Sequence, residues 1–279
     1  MRPHRRRIRA RVIADAIVAT VIAVVALGPI LFGLSTSLKA RDALFRFPPE
    51  LWPASPTWEN YRLLFSEGVA VPILNSVLIT AATVILSLAI GSLTAYALAR
   101  FAFRLKGAVL VLVVVVMSIP LPSLIVPTFT FASQVGLIDS RIGLVLFYTA
   151  YQLPLAAWIL WGFFTTVPEQ LEQAAMIDGY SRLAALRRVV LPLSTPGLVA
   201  AGLFVLIFAW NDFVVALVLI NSESLRTLPV AIYYFQGFFG REWGPLTASA
   251  MLSIVPVLIV FVIFQRHFLS GMTAGSVKG

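Results

Sequence analysis

Six stretches of this chain are long enough to cross a bilayer and hold almost no Asp, Glu, Lys or Arg. A helix needs about 20 apolar residues to cross ~30 Å of hydrocarbon. The first stretch runs from Ala16 to Leu38, with a helix core near Val12–Leu34. The second lies between Glu67 and Arg100, with its core near Val71–Leu98. The third begins after Lys106 and fades near Phe131. The fourth spans Ile142 to about Phe164, and the fifth about Gly197 to Ile220, interrupted by Asp212. The sixth covers about Leu246 to Gln265. Only a backbone that satisfies its own hydrogen bonds survives in lipid, and strand alternation is absent, so the spans are helices and not a barrel. The expected fold is all-α, a polytopic membrane bundle of six helices forming a single domain over residues 1–279.

Composition agrees. Apolar residues make up 59% and charged residues 12%, against about 45–50% and about 25% in soluble domains. A water-facing surface cannot be built from so few charges, which excludes a soluble enzyme, a disordered chain and a collagen-like fibre. There is no cysteine, so disulfides, thiolate metal sites and a thiol nucleophile are excluded. His4 and His267 have no His or Cys neighbour at ligand spacing, and no metal site is expected.

The net charge of +9 is a matter of orientation rather than of nucleic acid. Arg2, Arg5, Arg6, Arg7, Arg9 and Arg11 precede the first span. Arg100, Arg104 and Lys106 follow the second, Arg182, Arg187 and Arg188 follow the fourth, and Arg266 and Lys278 follow the sixth. Lys39, Arg41, Arg46, Arg62, Arg141, Arg226 and Arg241 lie on the other side. The positive-inside rule puts both termini in the cytoplasm of a multi-pass plasma (inner) membrane protein. The Arg-rich arm is expected to lead into a retained anchor, because the following apolar stretch is too long for a signal peptide. Pro120, Pro122, Pro127, Pro154 and Pro256 fall within spans, as packing kinks or as bending points of a gate. Trp52, Trp58, Trp243 and the aromatic run 233–235 suit the headgroup belt; stacking on a sugar ring is the alternative.

The loop from about 165 to 196, on the cytoplasmic side, is much longer than a turn needs. Thr166 is placed to cap a helix, Pro168 fits its first turn and Glu169 the capping-box position. The helix continues through Glu172, Gln173, Ala174, Ala175, Met176 and Ile177, and Gly179 supplies a left-handed stop. Ser181 caps a second short helix, Arg182 to Val190, ended by Pro192. Leu183, Leu186, Val189 and Val190 share one face of it, with Arg182, Arg187 and Arg188 outside that stripe. Such a hairpin either docks another protein, with Ala174 and Ala175 offering a bare surface, or lies on anionic lipid.

At this point the sequence resembles the permease subunits of binding-protein-dependent ABC importers, which carry E-A-A-x3-G-x9-I-x-L-P in the loop before the second-last span. Here Gln173, Ala174, Ala175, Gly179, Val189, Leu191 and Pro192 stand at that spacing. Gln173 replaces the first Glu, although Glu172 is adjacent, and Val189 replaces Ile. Asn75-Ser76 opening the second span, Ala95-Tyr96-Ala97-Leu98-Ala99-Arg100 closing it, Trp210-Asn211-Asp212-Phe213 in the fifth and the tail 271–279 resemble the sugar-importer, maltose-transporter branch. The resemblance implies an ATPase-docking coupling helix carried by Glu172, Gln173, Ala174, Ala175, Gly179, Leu191 and Pro192. It also implies a translocation pathway touching Asn75, Ser76, Asn211 and Asp212. The implied partners are a second homologous permease subunit, two ATPase subunits and an extracytoplasmic solute-binding protein.

No Gly-x4-Gly-Lys-[Ser/Thr] loop exists in the chain, so it has no P-loop for ATP. No cofactor is expected in this chain, and ATP and Mg would sit on the ATPase subunits. An ion-coupled secondary carrier is the alternative, and would need buried titratable groups. Asp15 lies near a span end and Asp212 lies deeper, with no Lys or Arg inside any span to pair with it. A single carboxylate is a thin proton relay, so Asp212 is expected to act by hydrogen bonding. A membrane scaffold without transport is a third possibility.

Overall fold

The structure is a computed structural model that describes the backbone of residues 3–239 and 242–274 and the side chains of 14–235 and 242–264. The Arg-rich arm, both histidines and the tail 271–279 therefore lie outside the described side chains. Every long element is helical. In chain order they are α1 (Pro3–Ser37), α2 (Glu59–Ser66), α3 (Ala70–Arg100), α4 (Lys106–Met117), α5 (Leu121–Gln134), α6 (Arg141–Phe164) and α7 (Glu169–Ile177). There follow α8 (Arg182–Ala185), a π turn (Leu186–Val190), α9 (Leu191–Leu193), α10 (Thr195–Asn211), α11 (Val214–Leu219), α12 (Leu228–Phe239) and α13 (Trp243–Ala274).

Four of the expected spans are single helices long and apolar enough to cross a membrane: Ala14–Ser37, Ala70–Arg100, Arg141–Phe164 and Trp243–Phe264. Pro29, Pro154 and Pro256 stay inside them. The third expected span is not one rod. It divides into α4 and α5, bent by 98°. Pro120 is the cause: it has no N–H to donate, its backbone is extended at ψ 127°, and Pro122 opens the next helix from its first turn. The fifth, whose apolar run the sequence interrupts at Asp212, is also broken as a helix there. That residue leaves the helix at ψ 126°, and its carboxylate Oδ1 accepts the Ala216 amide at 3.1 Å, so it caps α11. Upstream, Pro192 does not end its helix. Helix of one kind or another continues from Arg182 to Leu193 and meets α10 at an 83° bend after Ser194. The π turn ends two residues before Pro192, whose missing N–H cannot bond back into it.

Contacts within the chain group into two compact units. One comprises residues 1–69 and 232–255. In it the last turn of α1 holds the segment that follows. The Ser35 hydroxyl donates to Leu51 O at 2.6 Å, the buried Lys39 ammonium to Glu50 O at 2.5 Å, and Asn60 Nδ2 to Ser37 O and Lys39 O at 2.8 and 2.9 Å. Gly244 packs on the Asn60 side chain, where a Cβ would not fit. Arg41 and Glu242 pair at 2.7 Å.

The other unit comprises residues 70–231 and 256–279. Its centre is α3 against α6. Ser76, Thr80, Thr83 and Ser87 are buried at spacings of four, three and four, one face of α3. One turn on, a Cβ at Gly91 would lie 3.4 Å from the Ala156 Cβ. Small residues let two helices approach closely where no hydrophobic effect drives them together. Ile79, Leu144, Tyr148, Val215, Leu219 and Val230 fill one end of this unit. Tyr96, Leu160, Phe164, Leu186 and Val190 fill another part of its core.

Candidate functional site

The loop from α6 to α10 is built from local signals in order. Thr165 and Thr166 donate their hydroxyls backward, to Gly162 O and Phe163 O at 2.7 Å each. Thr166 thus closes α6 rather than opening α7, correcting the expected N-cap. Pro168, extended at ψ 128°, occupies the N-cap position of α7, with Glu169 and Glu172 in the first turn where the helix dipole favours acid. Gly179 stops α7 at φ 91°. Its amide donates to Met176 O at 3.1 Å, and the Tyr180 amide to Ala175 O at 3.0 Å. That double bond is the Schellman stop, which needs a residue free to adopt positive φ. The Ser181 hydroxyl then accepts the Ala184 amide at 3.3 Å, capping α8.

One side of α7 faces its own protein. Glu172 and Ala175 are buried. Glu172 Oε1 lies 2.5 Å from Arg100 Nε and Oε2 accepts the Tyr96 hydroxyl at 2.9 Å. Arg100 Nη2 also donates to Val167 O at 2.9 Å. The Arg100 and Glu172 side chains are only 8% and 5% exposed. α3 has 31 residues, about 46 Å at 1.5 Å per residue, more than the ~30 Å of hydrocarbon. Its last turn therefore overreaches the core, and Tyr96 and Arg100, one turn apart on one face, grip the loop. Glu172 and Ala175 thus face their own chain, and of the two alanines expected to offer a bare surface only Ala174 does so.

The opposite side of the loop is open. Leu171, Gln173, Ala174, Ile177, Gly179, Tyr180, Leu183 and Pro192 are exposed, while Leu191 is half-buried. Ile177 is 86% exposed and Leu183 is 65% exposed. Leu183, expected to share one face with Leu186, Val189 and Val190, is exposed, whereas Leu186 and Val190 are buried together with Ala185. Leu171 was not singled out in the sequence, and Ile177 and Leu183 were read there only as members of their helices. Their signal was apolar side chains beside the motif on the face away from Glu172.

The four expected pathway residues do not form one cluster of free polar groups. Asn75 is buried: Nδ2 donates to Ser224 O and Arg226 O at 2.9 Å each, and Oδ1 accepts from Arg141 Nε at 2.9 Å. The Ser76 hydroxyl accepts the Leu228 amide at 2.8 Å. Both serve to hold residues 224–228. Asn211 is exposed and donates to Ile207 O in its own helix. Asp212 accepts the Tyr148 hydroxyl at 2.7 Å. A search for a cationic partner alone overlooks this neutral one.

A clasp near Asn75 had no sequence signal. Asp139 sits at φ 55°. Its Oδ1 accepts the Asn221 and Ser222 amides at 3.0 and 2.8 Å, and its Oδ2 accepts the Ser222 hydroxyl. The Ser222 hydroxyl and amide hold this carboxyl below the usual carboxylate range.

Residues 66–274 match the family described as the binding-protein-dependent transport system inner membrane component. The chain is 39% identical over 264 residues to the sulfoquinovosyl glycerol transport system permease protein SmoH of Agrobacterium fabrum, covering 94% of this chain and 93% of that one. It is 36% identical over 267 residues to the trehalose transport system permease protein SugB of Mycobacterium tuberculosis, covering 95% and 97%. In fold it is similar to a chain of a bacterial ABC transporter involved in import of the acidic polysaccharide alginate. That likeness has a TM-score of 0.79 at 23% identity, over 93% of this chain and 97% of that one. The chain therefore belongs to the family of binding-protein-dependent transport system inner membrane components: it is a multi-pass permease subunit of an ABC importer, and not an enzyme.

Proposed function

We propose that this chain forms, with a second homologous permease subunit, the pathway by which a sugar or sugar-like solute enters the cell. Two ATPase subunits would drive the pair and an extracytoplasmic solute-binding protein would deliver the cargo. ATP and Mg belong on the ATPase subunits in this reading. Relatives named for sulfoquinovosyl glycerol and trehalose transport support the solute class. The balance of Lys and Arg supports cytoplasmic termini and, with them, a cytoplasmic loop 165–196.

One observation carries the mechanical part. An exposed helix–glycine–helix loop is anchored to the end of a span by a buried Arg100–Glu172 pair. An exposed loop on a flexible tether would absorb a partner's motion. A loop gripped by a charged pair and a tyrosine passes that motion to α3, and through the close contact at Gly91 to α6. The exposed Gln173, Ala174, Ile177, Gly179 and Pro192 are the proposed ATPase contact, with Glu172 and Ala175 acting from within and Leu191 as the hinge toward α10. At the other end of the unit, Asn75 and Ser76 hold residues 224–228. The break at Asn211 and Asp212 is the proposed part of the pathway wall, because it leaves backbone polar groups that only protein or water can satisfy.

The test is uptake by the assembled transporter in sealed vesicles. Uptake should require internal ATP and the binding protein, and should survive collapse of proton and sodium gradients. Uptake without ATP, driven by either gradient, would refute the proposal.

A further inference from the structure

We infer that the unit built on α3, α6 and α10 carries a binding groove for one anionic phospholipid, which adjoins the docking face at Leu183 and runs away from it along α3 and α10. Two hollows lie end to end. The deeper one, about 240 Å³, is walled entirely by apolar residues, among them Val84, Leu88, Leu203 and Val260. The other, about 450 Å³, is bounded by Leu93, Leu183 and Arg187. Leu88 and Leu198 line both, so the groove is continuous.

Its length, polarity and charge suit one occupant. From Val84 to Leu93 along α3 is nine residues, ~13 Å at 1.5 Å per residue, about half the ~30 Å hydrocarbon core and so one leaflet. The deep end carries no charge and the open end carries Arg187. Arg187 is exposed and, among the described residues, makes no ion pair or ring contact. Its neighbours are engaged: Arg182 lies 5.1 Å from the Phe101 ring and Arg188 4.7 Å from the Tyr180 ring. No Asp or Glu occurs between Arg182 and Asn211. The segment Arg182–Leu193 crosses α10 at 83°, so it lies across the end of that span while α10 lines the depth. An apolar slot one leaflet deep with a free guanidinium at its mouth takes an acyl chain below and an anionic headgroup above. Basic pockets between spans bind anionic headgroups in this way. The leaflet follows from the orientation proposed above; the lipid class does not.

The assembled transporter, purified in bilayers of phosphatidylcholine and phosphatidylglycerol, tests this with a phosphatidylglycerol probe bearing a photoactivatable acyl chain. The probe is expected to label peptides containing Leu88 and Leu198. Arg187→Gln should lower labelling about fivefold, and Leu198→Trp, which fills the slot, should abolish it while the complex stays assembled. A phosphatidylcholine probe should label weakly and ignore Arg187→Gln. Equal labelling by both probes, or labelling unchanged by both variants, overturns the inference. So does the other occupant: Gly202→Cys, unique in this cysteine-free chain, cross-linking efficiently to the second permease subunit.

Discussion

Arg100 and Glu172 stand 72 residues apart in the chain and meet at 2.5 Å in a site closed to solvent. The pair joins the last turn of a membrane span to the helix that follows another. Two buried charges gain little over a well-packed apolar pair. Removal of one, however, strands the other at a cost of about 3–5 kcal/mol.

Glu172→Ala should therefore loosen the loop more than it alters the exposed face. Tryptic cleavage at Arg182, Arg187 and Arg188 should accelerate, and co-purification of the ATPase subunits should fall. The exchanged pair Arg100→Glu with Glu172→Arg should recover part of both. Cleavage unchanged in Glu172→Ala would show that the pair anchors nothing.

Gly179 is the clean test of the corner. Nothing lies within 4 Å of where its Cβ would stand, yet φ is 91°. The penalty for a side chain is thus backbone strain alone, about 1–2 kcal/mol for a β-branched residue and less for asparagine. Gly179→Val should weaken ATPase recruitment clearly and Gly179→Asn only slightly. Equal effects would point to lost space, not lost conformation.

Asp212 Oδ1 accepts both the Tyr148 hydroxyl and the Ala216 amide. Asparagine offers the same acceptor without charge. Asp212→Asn should assemble and retain most uptake, whereas Tyr148→Phe, which removes a donor, should lower stability by roughly 1 kcal/mol. Lost uptake in an intact Asp212→Asn complex would establish a role for the charge itself.

Asp139 gives the pH dependence. Its carboxyl is held below 3.8 by the Ser222 hydroxyl and the Ser222 and Asn221 amides. A depressed native value stabilises the fold above the unfolded value and loses that contribution as pH falls through the native one. Asparagine tolerates positive φ, so Asp139→Asn isolates the charge. Melting temperatures of the native chain and Asp139→Asn should differ at neutral pH and converge below about pH 4. A constant difference down to acid pH would assign the effect to geometry.

Local chemistry was legible without coordinates. The spans follow from hydrocarbon thickness, the Gly179 corner from conformational freedom and the Ser181 cap from an oxygen near an unpaired amide. The polar interruption of the fifth apolar run at Asp212 was legible too, but not that the helix itself breaks there. Each depends on residues a few positions apart. Proline was legible only in part: Pro154 and Pro256 stay inside helices, whereas Pro120 breaks one.

What the tertiary structure alone decided is which distant groups complete one another. Glu172 turns inward because Tyr96 and Arg100 wait for it 76 and 72 residues away, and Asp212 needs no cation because Tyr148 lies across 64 residues. Asn75 is spent on carbonyls 149 and 151 residues on. A buried polar group must find a partner, and that demand can be read from the chain. The identity of the partner is settled by how the helices pack, through contacts that no linear spacing encodes.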